Sequence, residues 1–205
     1  MRLNVDGLIA APLKHIVRAS VKGQSARSAG LLLSMECQQD IDIVKLVRLA
    51  CEIADAHAAS LFLVQGDVLK PYVIYNLPKG YVAGIGEVRV GTQCCGRAVE
   101  RGKPWIVADM LQDPLFADGR DGASNSLIRA AFSVPVILDD KVVGSLACHF
   151  TKPHAPSSVD IDRNEHFARL IAITLRGRGT GVPEAPIFAG PAELMTVATV
   201  RSAAS

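Results

Sequence analysis

Cysteine and histidine are the residue types in this sequence best suited to redox chemistry, metal binding or proton transfer, and five of each are present. The number of cysteines is odd and no secretory signal is recognisable, which favours reduced thiols over a disulfide framework. No C-x-x-C pair and no H-E-x-x-H spacing occurs, so we expect no bound metal. The residues concerned are Cys37, Cys51, Cys94, Cys95, Cys148, His15, His57, His149, His154 and His166.

A second candidate region is the segment 109–122, which carries Asp, Pro, Gly and Gln without any hydrophobic period. This composition predicts a surface loop, and long loops in small domains often carry binding residues. Asp109 and Asp113 either bind a ligand ammonium group or cap the turns that follow them.

Regular elements must position these side chains, and the hydrophobic pattern predicts an α+β domain with a mostly antiparallel sheet. The first helix has Asp40 as a suitable N-cap, and Ser157 with Asp160 resembles a capping box before the last helix. Asp139 and Asp140 predict the tight turn of a hairpin. The predicted helices span residues 40–55, 94–100, 124–131 and 158–176, and the predicted strands span residues 59–65, 69–76, 87–90, 104–108, 132–138 and 142–150.

The composition excludes several classes of protein. Hydrophobic residues make up 49% of the 205 residues and charged residues 20%, which is enough apolar surface to order a compact core. The formal net charge of +2 is too small to indicate binding to a nucleic-acid backbone. No apolar run approaches the roughly 20 residues of a membrane span, so we expect a cytoplasmic protein with no membrane insertion.

Two stretches carry a resemblance to a known family: VGTQCCGRAVERGKPWIVADMLQDPLF at residues 90–116 and SVPVILDDKVVGSLACHF at residues 133–150. Their most specific features are Gly91 and Gly96 at a turn into a helix, the Asp113-Pro114 loop, and the Pro135 strand. Together with the order of elements, these features make residues 30–176 similar to the GAF domain of bacterial signalling proteins.

The resemblance implies a GAF-like sheet with the terminal helices on one face, where they often build a homodimer. On the other face it implies a small-molecule pocket closed by loops and short helices. We therefore expect a GAF-like domain at residues 30–177, an N-terminal segment at 1–29 able to form a basic amphipathic helix, and a flexible Gly- and Pro-rich tail at 178–205. The family binds chemically different ligands, so the cofactor or ligand stays unknown.

The candidate ligand-binding residues lie around this implied pocket. Cys94 and Cys95 begin a predicted helix whose first N–H groups are free to face an anion or a carbonyl. Trp105 and Phe116 are either pocket contacts or core residues, and Arg129 either binds a carboxylate or phosphate or is a solvated surface residue. Ser124, Asn125 and Arg129 would line the lid. The full set is Cys94, Cys95, Trp105, Asp109, Phe116, Ser124, Asn125 and Arg129.

The last predicted strand places Ser145, Ala147 and His149 on one face and Leu146 and Cys148 on the other, without indicating which face meets the pocket. Cys148-His149 resembles the pair that attaches bilin in phytochrome-type GAF domains. Here the pair lies on a strand rather than a helix, which argues against a bilin. His149 is either an axial haem ligand or, more simply, a hydrogen-bonded structural histidine.

Three functions remain as hypotheses. The first is a non-catalytic sensor of two-component-type signalling, which passes ligand occupancy through the terminal helices to a partner such as a histidine kinase. The second is a GAF-fold free methionine sulfoxide reductase, which the chain resembles at Cys94-Cys95-Gly96 and at residues 121–126. That enzyme needs a resolving cysteine, and Arg120 occupies its position here. The third is a ligand-free dimerisation module.

Overall fold

The computed structural model describes residues 42–84, 87–120, 123, 127–178 and 186–190. The expectations for the N-terminal segment 1–29, for Cys37 and for most of the tail lie outside these residues. So do Ser124 and Asn125.

Two long helices precede and follow the first six strands of the sheet in the chain. Helix α1 spans Ile43–Ile53 and helix α4 spans Ser158–Arg178, close to the predicted ranges. The predicted capping box is confirmed, because the Ser157 N–H donates to Asp160 Oδ2 at 3.1 Å and the Asp160 N–H donates to Ser157 Oγ at 3.2 Å. Helix α4 continues two residues beyond the predicted end, through Gly177.

Six strands form a continuous antiparallel path in the order β3-β2-β1-β6-β5-β4, and a seventh strand pairs with β2. Short helices α2 and α3 and a 3₁₀ helix connect them. The strands are β1 at Ala58–Gln65, β2 at Val68–Tyr75, β3 at Val88–Arg89, β4 at Trp105–Val107, β5 at Ala130–Leu138, β6 at Lys141–Phe150 and β7 at Ile187–Ala189. The connecting helices are α2 at Lys79–Gly84, α3 at Gln93–Arg101 and the 3₁₀ helix at Pro114–Gly119.

Local sequence signals set both hairpins of this sheet. Asp139 and Asp140 have φ values of 49° and 60°, and two consecutive positive φ angles are what a two-residue type I′ turn between β5 and β6 requires. Gly66, with φ of 66°, turns the chain between β1 and β2. Both predicted hairpins are confirmed.

The two faces of the sheet bury different elements. Helices α1 and α4 pack on one face, against β1, β5 and β6. Helices α2 and α3 and the 3₁₀ helix contribute side chains to a second apolar cluster on the opposite face. The predicted α+β fold, with a mostly antiparallel sheet and both terminal helices on one face, is confirmed.

Three predictions of secondary structure are wrong. A helix was expected over residues 124–131, but Ala130 and Ala131 pair with Phe150 and His149 in the β5–β6 ladder. Cross-strand pairing and burial override the helical preference of alanine there. No element was predicted between residues 76 and 87, but Lys79–Gly84 forms the short helix α2.

The third correction concerns the predicted flexible tail. Ile187–Ala189 forms β7, the parallel partner of β2, with Val73 opposite Ile187 and Tyr75 opposite Ala189. Its sequence carries no period long enough to reveal a strand, but the outer edge of β2 offers unpaired backbone groups that three residues can satisfy.

Candidate functional site: a small polar-tipped cavity

A small cavity lies on the sheet face opposite α1 and α4. Strands β1, β5 and β6 contribute its floor, helices α2 and α3 and Val88 of β3 its walls, and Leu77, Met110 and Phe116 complete the lining. Its volume is about 20 Å³, which is room for about one water molecule. A cavity therefore lies on the face where the resemblance implied a small-molecule pocket, but side chains nearly fill it and no haem or bilin macrocycle fits.

A buried histidine and a buried serine meet at the floor of the cavity. The β1–β6 register pairs Ala58 with His149 and Ser60 with Ala147, which places the Ser60 and His149 side chains diagonally on the same face. His149 Nε2 lies 2.9 Å from Ser60 Oγ. The expectation of a hydrogen-bonded structural histidine is confirmed.

The other ring nitrogen of His149, Nδ1, is buried and has no hydrogen-bond partner among the described residues, although most buried polar atoms have one. Burial, reinforced by the charge of nearby His57, lowers the pKa of His149 to about 3, so the ring is neutral at physiological pH. His149 therefore presents a neutral, unpaired ring nitrogen in an apolar interior.

Tyr81 of α2 brings a second weakly satisfied polar group to the cavity. Its hydroxyl donates to the Met110 Sδ at 3.8 Å, a long bond to a weak acceptor. Its ring meets the His149 ring edge to face, with the centroids 5.9 Å apart. Burial raises the pKa of Tyr81, so the hydroxyl stays protonated and can donate.

The cysteines Cys94 and Cys95 of α3 also line the cavity. The Cys94 thiol donates to the carbonyl oxygens of Trp105 at 3.4 Å and Ala131 at 3.7 Å. Burial is the main cause that raises the pKa of Cys94, and it also raises the pKa of Cys95 against hydrogen bonds with Ser145 and Ser133. Both groups are neutral thiols rather than nucleophilic thiolates.

Two glycines bring α3 against the sheet edge and so aim these cysteines. A Cβ on Gly96 would overlap the backbone carbonyl oxygen of Arg89 on β3, so only glycine allows this approach. Gly91, with φ of 85°, donates its N–H to the Gly96 carbonyl oxygen at 2.9 Å. The close packing of these backbone segments therefore requires the predicted glycine turn into the helix.

The sequence that builds this architecture matches a known family model, described as GAF domain, over residues 44–175. The chain belongs to the GAF domain family. The match covers most of the chain, including every strand from β1 to β6.

Solved structures share the GAF fold at low sequence identity. The GAF domain of a phosphoenolpyruvate-protein phosphotransferase from Coxiella burnetii is 18% identical with a TM-score of 0.60, covering 80% of this chain and 99% of that chain. A domain described as belonging to a two-component sensor histidine kinase from Sinorhizobium meliloti 1021 is 12% identical with a TM-score of 0.54, covering 65% and 86%. Free methionine-R-sulfoxide reductase from Neisseria meningitidis is 18% identical with a TM-score of 0.58, covering 75% and 93%.

At sequence identities this low, the likeness to these structures establishes the fold of the domain and does not identify its chemistry. No curated protein matches the chain. Among the described residues, no group of three His, Cys, Asp or Glu side chains is placed to hold a metal ion. Within the same residues, no helix is long and apolar enough to cross a membrane.

Of the candidate residues, Cys94, Cys95 and Phe116 line the cavity of this GAF domain. Trp105 instead stands on the edge strand β4, with the guanidinium carbons of Arg97 and Arg101 5.7 and 4.6 Å from its ring centroid. Its indole is half-buried against the apolar cluster and stacks with these two cations, and it is not among the residues that line the cavity.

Asp109 and Arg129 bind each other outside the lining of the cavity. Arg129 Nη2 lies 3.0 and 2.9 Å from the two carboxylate oxygens of Asp109, which also accepts the Leu111 N–H at 3.1 Å. Partial burial acts to raise the pKa of Asp109, but the hydrogen bonds and charge of Arg129 outweigh it, so the pKa lies below its ordinary value. The pair ties the start of the segment between β4 and β5 to its end.

Sequence reasoning missed Tyr81 and left the role of His149 open between two alternatives. Tyr81 lies between two predicted strands and outside every predicted element, where one aromatic residue carries no periodic signal. A better signal was the strand alternation that puts His149 on the same face as the small residues Ser145 and Ala147, because small side chains on one strand face leave room for a cavity.

Proposed function

We propose that this GAF domain is a non-catalytic sensor, in which a small molecule occupies the cavity and changes the interaction of α1 and α4 with a signalling partner. The observation that carries the proposal is the pair of polar groups at the cavity, the unpartnered His149 Nδ1 and the weakly bonded Tyr81 hydroxyl. Leaving a buried polar group unsatisfied costs about 1–3 kcal/mol, and a bound molecule that satisfies both groups recovers it.

Strand β6 offers a direct route from the cavity to the terminal helices. His149 faces the cavity, whereas the adjacent Cys148 faces the other side of the sheet, where its thiol lies 3.3 Å from Asn164 Oδ1 of α4 and 3.7 Å from the Ala50 carbonyl oxygen of α1. A ligand that shifts His149 on β6 therefore also shifts Cys148, the preceding residue, and through its contacts changes the arrangement of both helices.

The chemistry of the thiols favours a sensor over a reductase. Reduction of a sulfoxide by cysteine begins with attack by a thiolate, and burial raises the pKa of both Cys94 and Cys95. Arg120 stands at the position of the resolving cysteine, and its guanidinium donates to the Asp113 carbonyl oxygen at 3.0 Å. The likeness to methionine sulfoxide reductases supports a shared fold.

We also propose that the domain acts as a cytoplasmic homodimer that contacts a signalling protein such as a histidine kinase. Helix α4 exposes Val159 and Ile173 to about half of their area, although most of its large apolar side chains are buried. Apolar side chains on the outer side of a terminal helix suit a two-fold contact. Sedimentation at micromolar concentration tests this, and a monomer would contradict it.

Native mass spectrometry of the purified protein, compared with its denatured mass, tests the sensor. A co-purified small molecule, or a rise in Tm with a compound from a metabolite set, supports it when Val82→Trp abolishes the effect. Val82 lines the cavity and is half-buried, so a larger side chain there fills the space without replacing a fully buried residue.

A ligand-free dimerisation module is the second candidate, and the small cavity volume of about 20 Å³ favours it. In that case an ordered water satisfies His149 Nδ1, and no compound changes Tm. A dimer without any bound or stabilising small molecule would therefore establish the module and refute the sensor.

A further inference from the structure

We infer that the molecule recognised at this cavity is uncharged and offers an acceptor oxygen, such as a carbonyl, to Tyr81 and His149, with an apolar body that occupies an adjoining groove. This inference rests on the proposed sensor function and specifies the chemical class of its ligand.

The lining of the cavity excludes charged molecules. None of the described residues that line it is Asp, Glu, Lys or Arg, and the ring of His149 is neutral at physiological pH. Moving an ion into such an interior is strongly unfavourable unless an opposite charge compensates it. Carboxylates, phosphates, ammonium compounds and zwitterionic amino acids are therefore disfavoured as ligands.

We assign the proton positions that satisfy the most hydrogen bonds, and with this assignment both polar groups are donors. Ser60 Oγ has His149 Nε2 as its hydrogen-bond partner among the described residues, so the serine proton is satisfied when it is donated to Nε2. The imidazole proton then lies on Nδ1, which becomes a donor without an acceptor. The Tyr81 hydroxyl also donates, and its acceptor is the weak thioether of Met110.

One acceptor atom can serve both donors. The Tyr81 and His149 rings both line the cavity and are in edge-to-face contact, with centroids 5.9 Å apart, so one small group bound there contacts both residues. A carbonyl oxygen has two lone pairs and no proton, so it can accept from two donors. The cavity volume of about 20 Å³ suits a group of that size.

An adjoining groove provides room for the rest of the molecule. Phe62, Val82 and Val88 line both the cavity and this groove, whose volume is about 160 Å³. An apolar cavity of about 150 Å³ holds a benzene molecule, so the groove suits an apolar group of about that size. Lys70 and Glu87 also line the groove, where they form an ion pair with Nζ and Oε2 3.9 Å apart.

A panel of three probes with matched chain length tests the class of ligand: 2-hexanone, hexanoate and hexylammonium. Binding to the full chain is measured by protein-observed NMR titration at millimolar probe concentration. We expect 2-hexanone to bind and to shift resonances of the cavity residues, with the two ions binding at least tenfold more weakly. Absence of 2-hexanone binding overturns the inference.

Two variants and a control locate the binding. Tyr81→Phe retains the ring and removes one donor, so we expect about a three- to tenfold loss of affinity for 2-hexanone. Tyr75→Phe is the matched control, since Tyr75 on β2 does not line the cavity, and it should bind as the wild type does. Val82→Trp should abolish binding, whereas retained binding in Val82→Trp or equal affinity in Tyr81→Phe refutes the site.

The outcomes separate this inference from the proposed function. If hexanoate or hexylammonium binds as well as 2-hexanone, and Val82→Trp abolishes that binding, then the cavity binds small molecules and only the ligand class is wrong. If no probe binds and the purified protein carries no small molecule and responds to none, then both the ligand class and the sensor are refuted.

Discussion

Acid should destabilise this domain through one buried histidine. His149 is 5% exposed and has a pKa of about 3 in the folded chain, against 6.5 for an ordinary histidine. Below pH 6.5 the unfolded chain binds a proton that the folded chain cannot accept. The free energy of unfolding therefore decreases as the pH is lowered. The loss continues until the pH reaches about 3.

The expected magnitude follows from this difference in pKa. Each pH unit below about 6 removes about 1.4 kcal/mol from the free energy of unfolding, which amounts to about 2 kcal/mol between pH 7 and pH 5. For a domain of this size, that loss lowers Tm by about 4–8 °C. Because Tyr81, Cys94 and Cys95 are neutral at both pH values, none of them offsets the charge on the imidazole.

Urea denaturation at pH 7 and pH 5 measures this loss in the wild type, in His149→Gln and in His166→Gln. Glutamine can keep a hydrogen bond to Ser60 but cannot bind a proton, so His149→Gln should lose about 2 kcal/mol less than the wild type on acidification. His166 lies on α4 away from the cavity and controls for the removal of one histidine. An equal acid loss in His149→Gln and the wild type would refute the reasoning.

Three further substitutions test the packing around the site. Gly96→Ala should lower the free energy of unfolding by about 1–3 kcal/mol, toward the upper end of that range, because the new Cβ overlaps backbone that cannot rotate away. Gly80→Ala, which has open space around it, is the control in the same urea assay. Arg129→Ala should lower Tm by calorimetry because Asp109 loses its ion pair, and an unchanged Tm would show that the pair is not structural. Ile173→Glu should convert the proposed dimer to monomer in sedimentation while the circular dichroism spectrum stays the same.

Local sequence signals predicted much of this fold because they act over a few residues. The capping box at Ser157 and Asp160 marked the start of α4, and the left-handed Asp139 and Asp140 marked a hairpin. Signals that depend on distant partners were not readable. Ala130 joined a strand because Phe150 lies opposite it, and no local pattern contains that information.

The candidate site was predicted less completely, for the same reason. Cys94, Cys95 and Phe116 were placed at the cavity because they flank the glycine turn and the loop that resemble the family. Asp109 and Arg129 are 20 residues apart, and only the folded chain shows that each is the partner of the other.

The sequence by itself determined the α+β class, the order of the first six strands and the two long helices, and the two faces of each predicted strand, because periodicity and turn chemistry are local properties. It also determined that His149 and Cys148 point in opposite directions. Only the tertiary structure decided that the His149 face meets the cavity and the Cys148 face meets the helices. That choice depends on which elements pack on each side of the sheet, and so on contacts between residues far apart in the chain.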